Sequence, residues 1–262
     1  MITVLGGGGF IGGHLVRHLE RLGIEHQAPP RGEPIAGREL GKIVYCIGLT
    51  ADFRQRPHDA IDAHVCELLE VVRGCSFESL LYLSSARVYL RSAAPAREDD
   101  ALRFEPLDFE DLFNLSKAMG ESIVLALGER GRVARPSNVY GPGQHRTFLA
   151  MLLEEARQGS ILLQSALRSQ KDYVHVADVV DLLAKIALGG RERIYNVASG
   201  VSVTSGALVE AIAQATGCSI GVLPDAPAVV FPRIDIERAR SEFGFAPSFI
   251  LDDLPSLIAA GL

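Results

Sequence analysis

The sequence predicts an α/β fold, a doubly wound parallel sheet with a small C-terminal lobe, and three observations predict it. Short apolar runs alternate with stretches of helical periodicity, the first run breaks into four consecutive glycines, and further strand-like runs recur at 43–47 and 80–83. With 262 residues, 48% hydrophobic and 22% charged, the chain can bury one large core and has an ordinary globular composition.

Residues 2–5 read as a buried strand. Gly6 to Gly9 end it, and Phe10, Ile11, Leu15, Val16, Leu19 and Leu22 then recur at helical spacing up to Gly23. The stretch 24–42 carries Pro29, Pro30, Pro34 and three glycines and is too short for a full helix-and-strand passage, so one βα unit is expected to be shortened. Strands follow at 43–47 and 80–83, with an amphipathic helix at 57–73 between them. After Gly141, helical patterns at 148–157, 176–188 and 207–216 alternate with loops rich in Pro and Gly around 223–232. The predicted division is a core at 1–140, with 171–198 returning to it, and a lobe made mainly by 141–262.

Charge and cysteine usage exclude several classes of function. The net charge of −6 and the scattered basic residues argue against nucleic-acid binding. No apolar stretch approaches the roughly 18 residues that span a bilayer, so no membrane partner is expected. Cys46, Cys66, Cys75 and Cys218 lack C-x-x-C spacing and read as reduced thiols. The N-terminus reads as a strand rather than a basic leader, and a cytoplasmic location is the expectation. His14 and His18 share a helix face, but no third ligand is evident; they read as solvated surface histidines, and no metal is expected.

Gly6, Gly9 and Gly12 give G-x-x-G-x-x-G spacing between a strand and a helix, with Phe10 and Ile11 inside it. That context marks a Rossmann dinucleotide site: a Cβ would block the turn, and free N–H groups at the helix start stabilise a pyrophosphate. An NAD-binding site places an acid at the end of the second strand, about 20 residues on. Pro30 and then Arg31 fall there, with Glu33 the nearest acid, so the reading favours NADP over NAD through Arg31.

A second set of motifs joins the glycine turn. Residues 81–89 read L-Y-L-S-S-A-R-V-Y, 113–117 read F-N-L-S-K, 135–142 read R-P-S-N-V-Y-G-P, and 171–178 read K-D-Y-V-H-V-A-D. Together they resemble the extended short-chain dehydrogenase/reductase family, in its NAD-dependent epimerase/dehydratase branch acting on nucleotide sugars. The resemblance implies cofactor lining by Cys46, Ile47 and Gly48, substrate orientation by Ser85 with Ser84 beside it, and a nicotinamide-ribose contact at Lys117. It implies substrate contact at Asn138 and brings Arg168, Lys171 and Arg233 into consideration for the nucleotide diphosphate; it also implies a homodimer built through 57–73 and 108–127. His175 and Asp178 read as structural, with Asp178 capping the next helix. His64 stands where the family has Asn.

The decisive departure is Phe113, four residues before Lys117, where the family carries its proton-transferring tyrosine. Loss of that acid is worth about 10²–10⁴-fold in rate. Three explanations stay open: an engineered Tyr-to-Phe exchange, a natural enzyme using another acid such as Tyr89, or a binding protein without catalysis. The family's 4,6-dehydratases carry Asp-Glu where this chain has Ala86 and Arg87, and neither residue replaces that pair. Epimerisation and ketoreduction of a nucleotide-diphosphate sugar remain, with a tilt toward reduction; the alternative is a non-catalytic NAD(P)-binding or sensing protein.

Overall fold

The computed structural model describes residues 1–49, 53–144 and 147–260. β1 (Ile2–Leu5), buried along its whole length, feeds the glycine turn that opens α1 (Phe10–Arg21). β2 (His26–Gln27) has two residues, and 28–41 cross to β3 (Lys42–Tyr45) in turns without a helix. This is the shortened unit that the prolines and glycines predict. α2 (Pro57–Ile61), a π-helical turn (Asp62–Cys66) and α3 (Glu67–Gly74) run as one continuous helix into β4 (Ser79–Leu83). A 3₁₀ turn (Ala86–Tyr89) and a loop precede α4 (Asp111–Leu125), followed by β5 (Gly131–Pro136) and β6 (Asn138–Tyr140).

The remaining elements are α5 (Phe148–Arg157), β7 (Ser160–Leu163), β8 (Gln170–His175), α6 (Val176–Gly189), β9 (Ile194–Val197) and β10 (Ser202–Thr204). α7 (Ser205–Thr216), β11 (Ser219–Val222), α8 (Glu237–Phe243) and α9 (Ile250–Ala259) complete the chain.

The main sheet has six strands in the order β2-β1-β3-β4-β5-β9, every pair parallel. Alternation along the strands divides their side chains between two apolar layers. Val4, Val44 and Leu81 pack with Leu15 and Leu19 of α1 and with Val179, Val180 and Leu183 of α6. Tyr45, Leu80 and Tyr82 pack on the other face with Leu68 and Val71 of α3 and Val124 of α4. The fold is therefore a Rossmann-type doubly wound sheet, with all chemistry-bearing strand ends on one edge.

A second body of structure consists of the sheet β10-β8-β6, the parallel pair β11-β7, and α5, α7 and α9 around their own apolar cluster. Ile234, Ile236, Ala239 of α8 and Phe245 belong instead to the cluster that holds α1 and α6. Helix caps follow local chemistry: Thr204 accepts from the Ala207 N–H at 3.1 Å. At α6 the structure corrects the sequence reading. His175 Nδ1 accepts from the Ala177 N–H at 3.2 Å and is the cap, while Asp178 accepts from the Ser248 N–H and hydroxyl, each at 2.9 Å. Among the described residues no helix is long and apolar enough to cross a membrane.

Candidate active site

The glycine turn is shaped by contacts that no side chain could share. Gly6 has φ +86°, and Gly9 N–H donates to its carbonyl at 2.9 Å. A Cβ on Gly12 would come within 2.3 Å of that same oxygen. Gly9 caps α1 without a side-chain hydrogen bond, so among the described residues the first N–H groups of the helix have no side-chain acceptor. The turn thus fits a pyrophosphate, which would take those N–H groups and the positive end of the helix dipole. Phe10 and Ile11 start α1 and pack partly buried against the core.

The ends of β3 and β4 and one face of α4 meet beside the turn. Cys46 N–H donates to the Leu5 carbonyl at 2.8 Å, and burial pushes its thiol up to about 12. Ile47 follows, partly buried against the cluster under β3. A Cβ on Gly48 would lie 3.1 Å from His64 Nε2 and 3.3 Å from Lys117 Nζ. α4 comes this close because a side chain on Gly120 would strike the Tyr82 hydroxyl at 2.4 Å. Lys117 is buried and donates to the Leu83 carbonyl at 2.8 Å. Burial pulls its amine down to about 7, against the opposing pull of Glu121 and Cys46.

His64 sits in the π turn and is fully buried. The Leu49 N–H donates to Nε2 at 3.4 Å, which leaves Nδ1–H to donate to Ser116 Oγ at 2.9 Å; Ser116 in turn donates to the Phe113 carbonyl at 2.8 Å. Burial, reinforced by Lys117, pushes the imidazole down to about 2, so it stays neutral.

At the end of β4, Ser84 donates to Glu121 at 2.5 Å, and Ser85 Oγ accepts from the Arg87 N–H at 3.2 Å as cap of the 3₁₀ turn. Phe113 is buried between Phe53, with ring centroids 4.6 Å apart, and the edge of His64 at 5.2 Å. Tyr89 is no substitute acid. Its hydroxyl is fully buried, accepts from Arg135 at 2.6 Å and donates to Asn196 at 2.8 Å, and burial raises it to about 12. Arg135 also pairs with Glu121 at 2.6 Å inside the core.

Ser84, Ser85, Gly48, Phe113 and Lys117 are therefore neighbours, while other sequence candidates stand apart from them. Arg31 is exposed; at the end of β2, Arg38 donates to Gln27 at 2.9 Å and pairs with Glu33. Asn138 is exposed on β6 and donates to the Asp172 carbonyl at 2.8 Å. Arg168 and Arg233 are exposed loop residues. The two histidines of α1 are not solvated as expected: His14 bonds the Pro142 carbonyl at 2.9 Å, and His18 faces Asp181 at 3.6 Å. Sequence reasoning missed Phe53, Arg54, Arg38 and Glu110. Phe53 reaches Phe113 and Arg54 reaches Glu110 across long sequence separations, and Arg38 reaches back to Gln27 from an irregular stretch; periodicity encodes none of these contacts.

Residues 38–198 match the family model described as the NAD dependent epimerase/dehydratase family. The chain is similar to the dTDP-4-dehydro-6-deoxyglucose reductase of Escherichia coli, 30% identical over 209 residues, covering 73% of this chain and 63% of that protein. It therefore spans less than two thirds of that relative's length. A dTDP-4-dehydro-6-deoxy-D-allose reductase of a Streptomyces species is 27% identical over 253 residues, covering 78% of this chain and 77% of the relative. Among solved structures, MoeE5 in complex with UDP-glucose and NAD superposes with a TM-score of 0.80 at 22% identity, over 98% of this chain and 97% of that one. RMD from Pseudomonas aeruginosa complexed with NADPH gives 0.78 at 20%, over 99% of each. These likenesses show the fold.

Proposed function

The chain belongs to the NAD-dependent epimerase/dehydratase family, and from that premise we propose that it binds NADP(H) and a nucleotide-diphosphate sugar and reduces a keto group on the sugar. The observation that carries this reading is the meeting of Lys117 with Gly48 and with the Ser84–Ser85 strand end. The reductase relatives support reduction over epimerisation, and the absence of a carboxylate pair at Ala86 and Arg87 argues against dehydration.

Gly6, Gly9, Gly12 and the start of α1 would hold the pyrophosphate, and Cys46, Ile47, Gly48 and Lys117 would line the nicotinamide half. Arg31 would meet a 2′-phosphate, since Gln27 rather than an acid ends β2 and Glu33 is already paired with Arg38. When bound, the reduced cofactor supplies a hydride to the carbonyl carbon. Ser85 orients and polarises the carbonyl oxygen, and Lys117 holds positive charge beneath it. Phe113 has no proton to give, so the oxygen takes its proton from a weaker source and turnover is slow. Asn138, Arg168 and Arg233 are assigned to the nucleotide side of the substrate.

Pairing of two copies through the 57–74 helix and α4 is part of the same reading, supported by exposed Met119 on α4 and Phe109 just before it. The second reading, a cofactor-binding protein without turnover, is favoured by one observation, the sealing of Phe113 among Phe53 and His64. Calorimetric titration with NADPH and then with nucleotide sugars tests the shared premise. Binding of both is expected, and binding of neither overturns both readings.

A further inference from the structure

His64 has no role in the reduction outlined above, yet it stands between two segments assigned to the nicotinamide half of the site. It lies in the π-helical turn Asp62–Cys66 that interrupts the helix running from α2 to α3. Such a turn shifts the hydrogen-bond ladder by one residue and displaces carbonyls from it. Two buried tyrosines of the sheet take up carbonyls there. Tyr45 of β3 donates to the Ala63 carbonyl at 2.7 Å, and Tyr82 of β4 donates to the His64 carbonyl at 3.4 Å. The sheet therefore holds the turn, and the turn fixes where the His64 ring can reach.

The ring binds both segments at once. Nε2 accepts from the Leu49 N–H at 3.4 Å, while Nδ1–H donates to Ser116 Oγ at 2.9 Å and Ser116 donates to the Phe113 carbonyl at 2.8 Å. One acceptor and one donor on a rigid ring thus tie the 46–49 segment after β3 to the turn of α4 that carries Phe113, Ser116 and Lys117. Only the neutral imidazole with its proton on Nδ1 can do this, because a proton on Nε2 would face the Leu49 N–H, itself a donor. Burial, with Lys117 acting in the same direction, keeps the ring neutral. Gly48 completes the fit. A Cβ there would lie 3.1 Å from His64 Nε2 and 3.3 Å from Lys117 Nζ, so the missing side chain lets the segment pass close to both groups.

We propose that His64 is a positioning residue for the nicotinamide half of the cofactor: through the Leu49 N–H it sets the Gly48–Leu49 wall relative to Lys117, and it acts through that wall. The inference rests on the cofactor reading above and adds a residue to it. Substitution can separate the two ring nitrogens. An Asn amide reaches about as far as Nδ1 and a Gln amide about as far as Nε2. His64→Asn therefore keeps the tie to Ser116 and drops the one to Leu49, whereas His64→Gln keeps the tie to Leu49.

The test is calorimetric binding of NADPH and NADH by the unsubstituted protein and both variants, each cofactor set against its fragment without nicotinamide, 2′-phospho-ADP-ribose or ADP-ribose. The ratio of whole-cofactor to fragment affinity reads how well the nicotinamide half is held. His64→Asn should lower that ratio about fivefold, the scale of one lost hydrogen bond, with fragment affinity within about twofold. His64→Gln should leave both quantities within about twofold of the unsubstituted protein. A ratio that falls equally in the two variants, or in neither, overturns the proposal and leaves the cofactor reading standing. So does a loss shared by the fragment, or an unsubstituted protein that binds fragment as tightly as whole cofactor. Should the unsubstituted protein bind no cofactor and no fragment, the cofactor reading fails and the proposal with it.

Discussion

Phe113, which stands where the family resemblance puts a tyrosine, stacks on Phe53 with their ring centroids 4.6 Å apart. One helical turn on, the Lys117 amine lies beside Gly48 and is drawn down to about 7 by burial. The machinery that would lower a phenol's pKa is thus present without the phenol. On the reading proposed above, the molecule holds a cofactor and orients a carbonyl but lacks the ordinary means of protonating the product.

Gly12→Ala should abolish cofactor binding. Its methyl group would lie 2.3 Å from the Gly6 carbonyl, where backbone rather than a flexible side chain must give way. Gly8 has open space at the same point, so Gly8→Ala should change stability by no more than about 0.5 kcal/mol. Fluorescence titration with NADPH and thermal melts of the two variants check the contrast.

Two buried groups make stability depend on pH in the same direction. His64 is held near 2 in the folded protein and titrates near 6.5 when unfolded, so below about 6.5 the unfolded chain binds more protons and stability falls as pH drops. Lys117, near 7 when folded and near 10.5 when unfolded, makes stability rise from about pH 7 to about 10.5. Urea midpoints across pH should show His64→Asn flattening the acid side and Lys117→Met the alkaline side.

Glu121 and Arg135 form a buried pair that also anchors Ser84 and Tyr89. Glu121→Gln leaves the Arg135 charge uncompensated and should cost about 3–5 kcal/mol. Tyr89→Phe should cost about 1–3 kcal/mol by unpairing Arg135 and Asn196. It should leave slow turnover unchanged at temperatures where the variant is folded, because the phenol is sealed from the cleft. A fall in turnover on that substitution would instead restore Tyr89 as the acid.

Arg31→Ala should weaken NADPH by roughly tenfold while leaving NADH nearly unaffected, the scale of one charge-assisted phosphate contact. Competition binding with the two cofactors reads this directly.

The sheet and the glycine turn were legible because their signals are local. Residues 2–12 specify strand, turn and helix from glycine spacing and periodicity alone, and the missing helix at 28–41 is written in Pro29, Pro30 and Pro34. The motif at 113–117 places Phe113 and Lys117 on one helix face. The partners of those residues were not legible. Phe53 reaches Phe113, Arg54 and Arg87 share Glu110, and Tyr89 turns inward to Asn196 over 107 positions, contacts that depend on how elements dock rather than on any one element's pattern. For the same reason His175, not Asp178, caps α6, since Ser248 claims the Asp178 carboxylate.

The central claim, a reductase site lacking its proton donor, is tested most directly by the turnover of Phe113→Tyr with NADPH across a panel of nucleotide-linked 4-keto sugars. The account predicts a gain of about 10²–10⁴-fold over the unsubstituted protein, with NADPH affinity within roughly threefold. A folded Phe113→Tyr variant that binds NADPH as well and turns over no faster would contradict it.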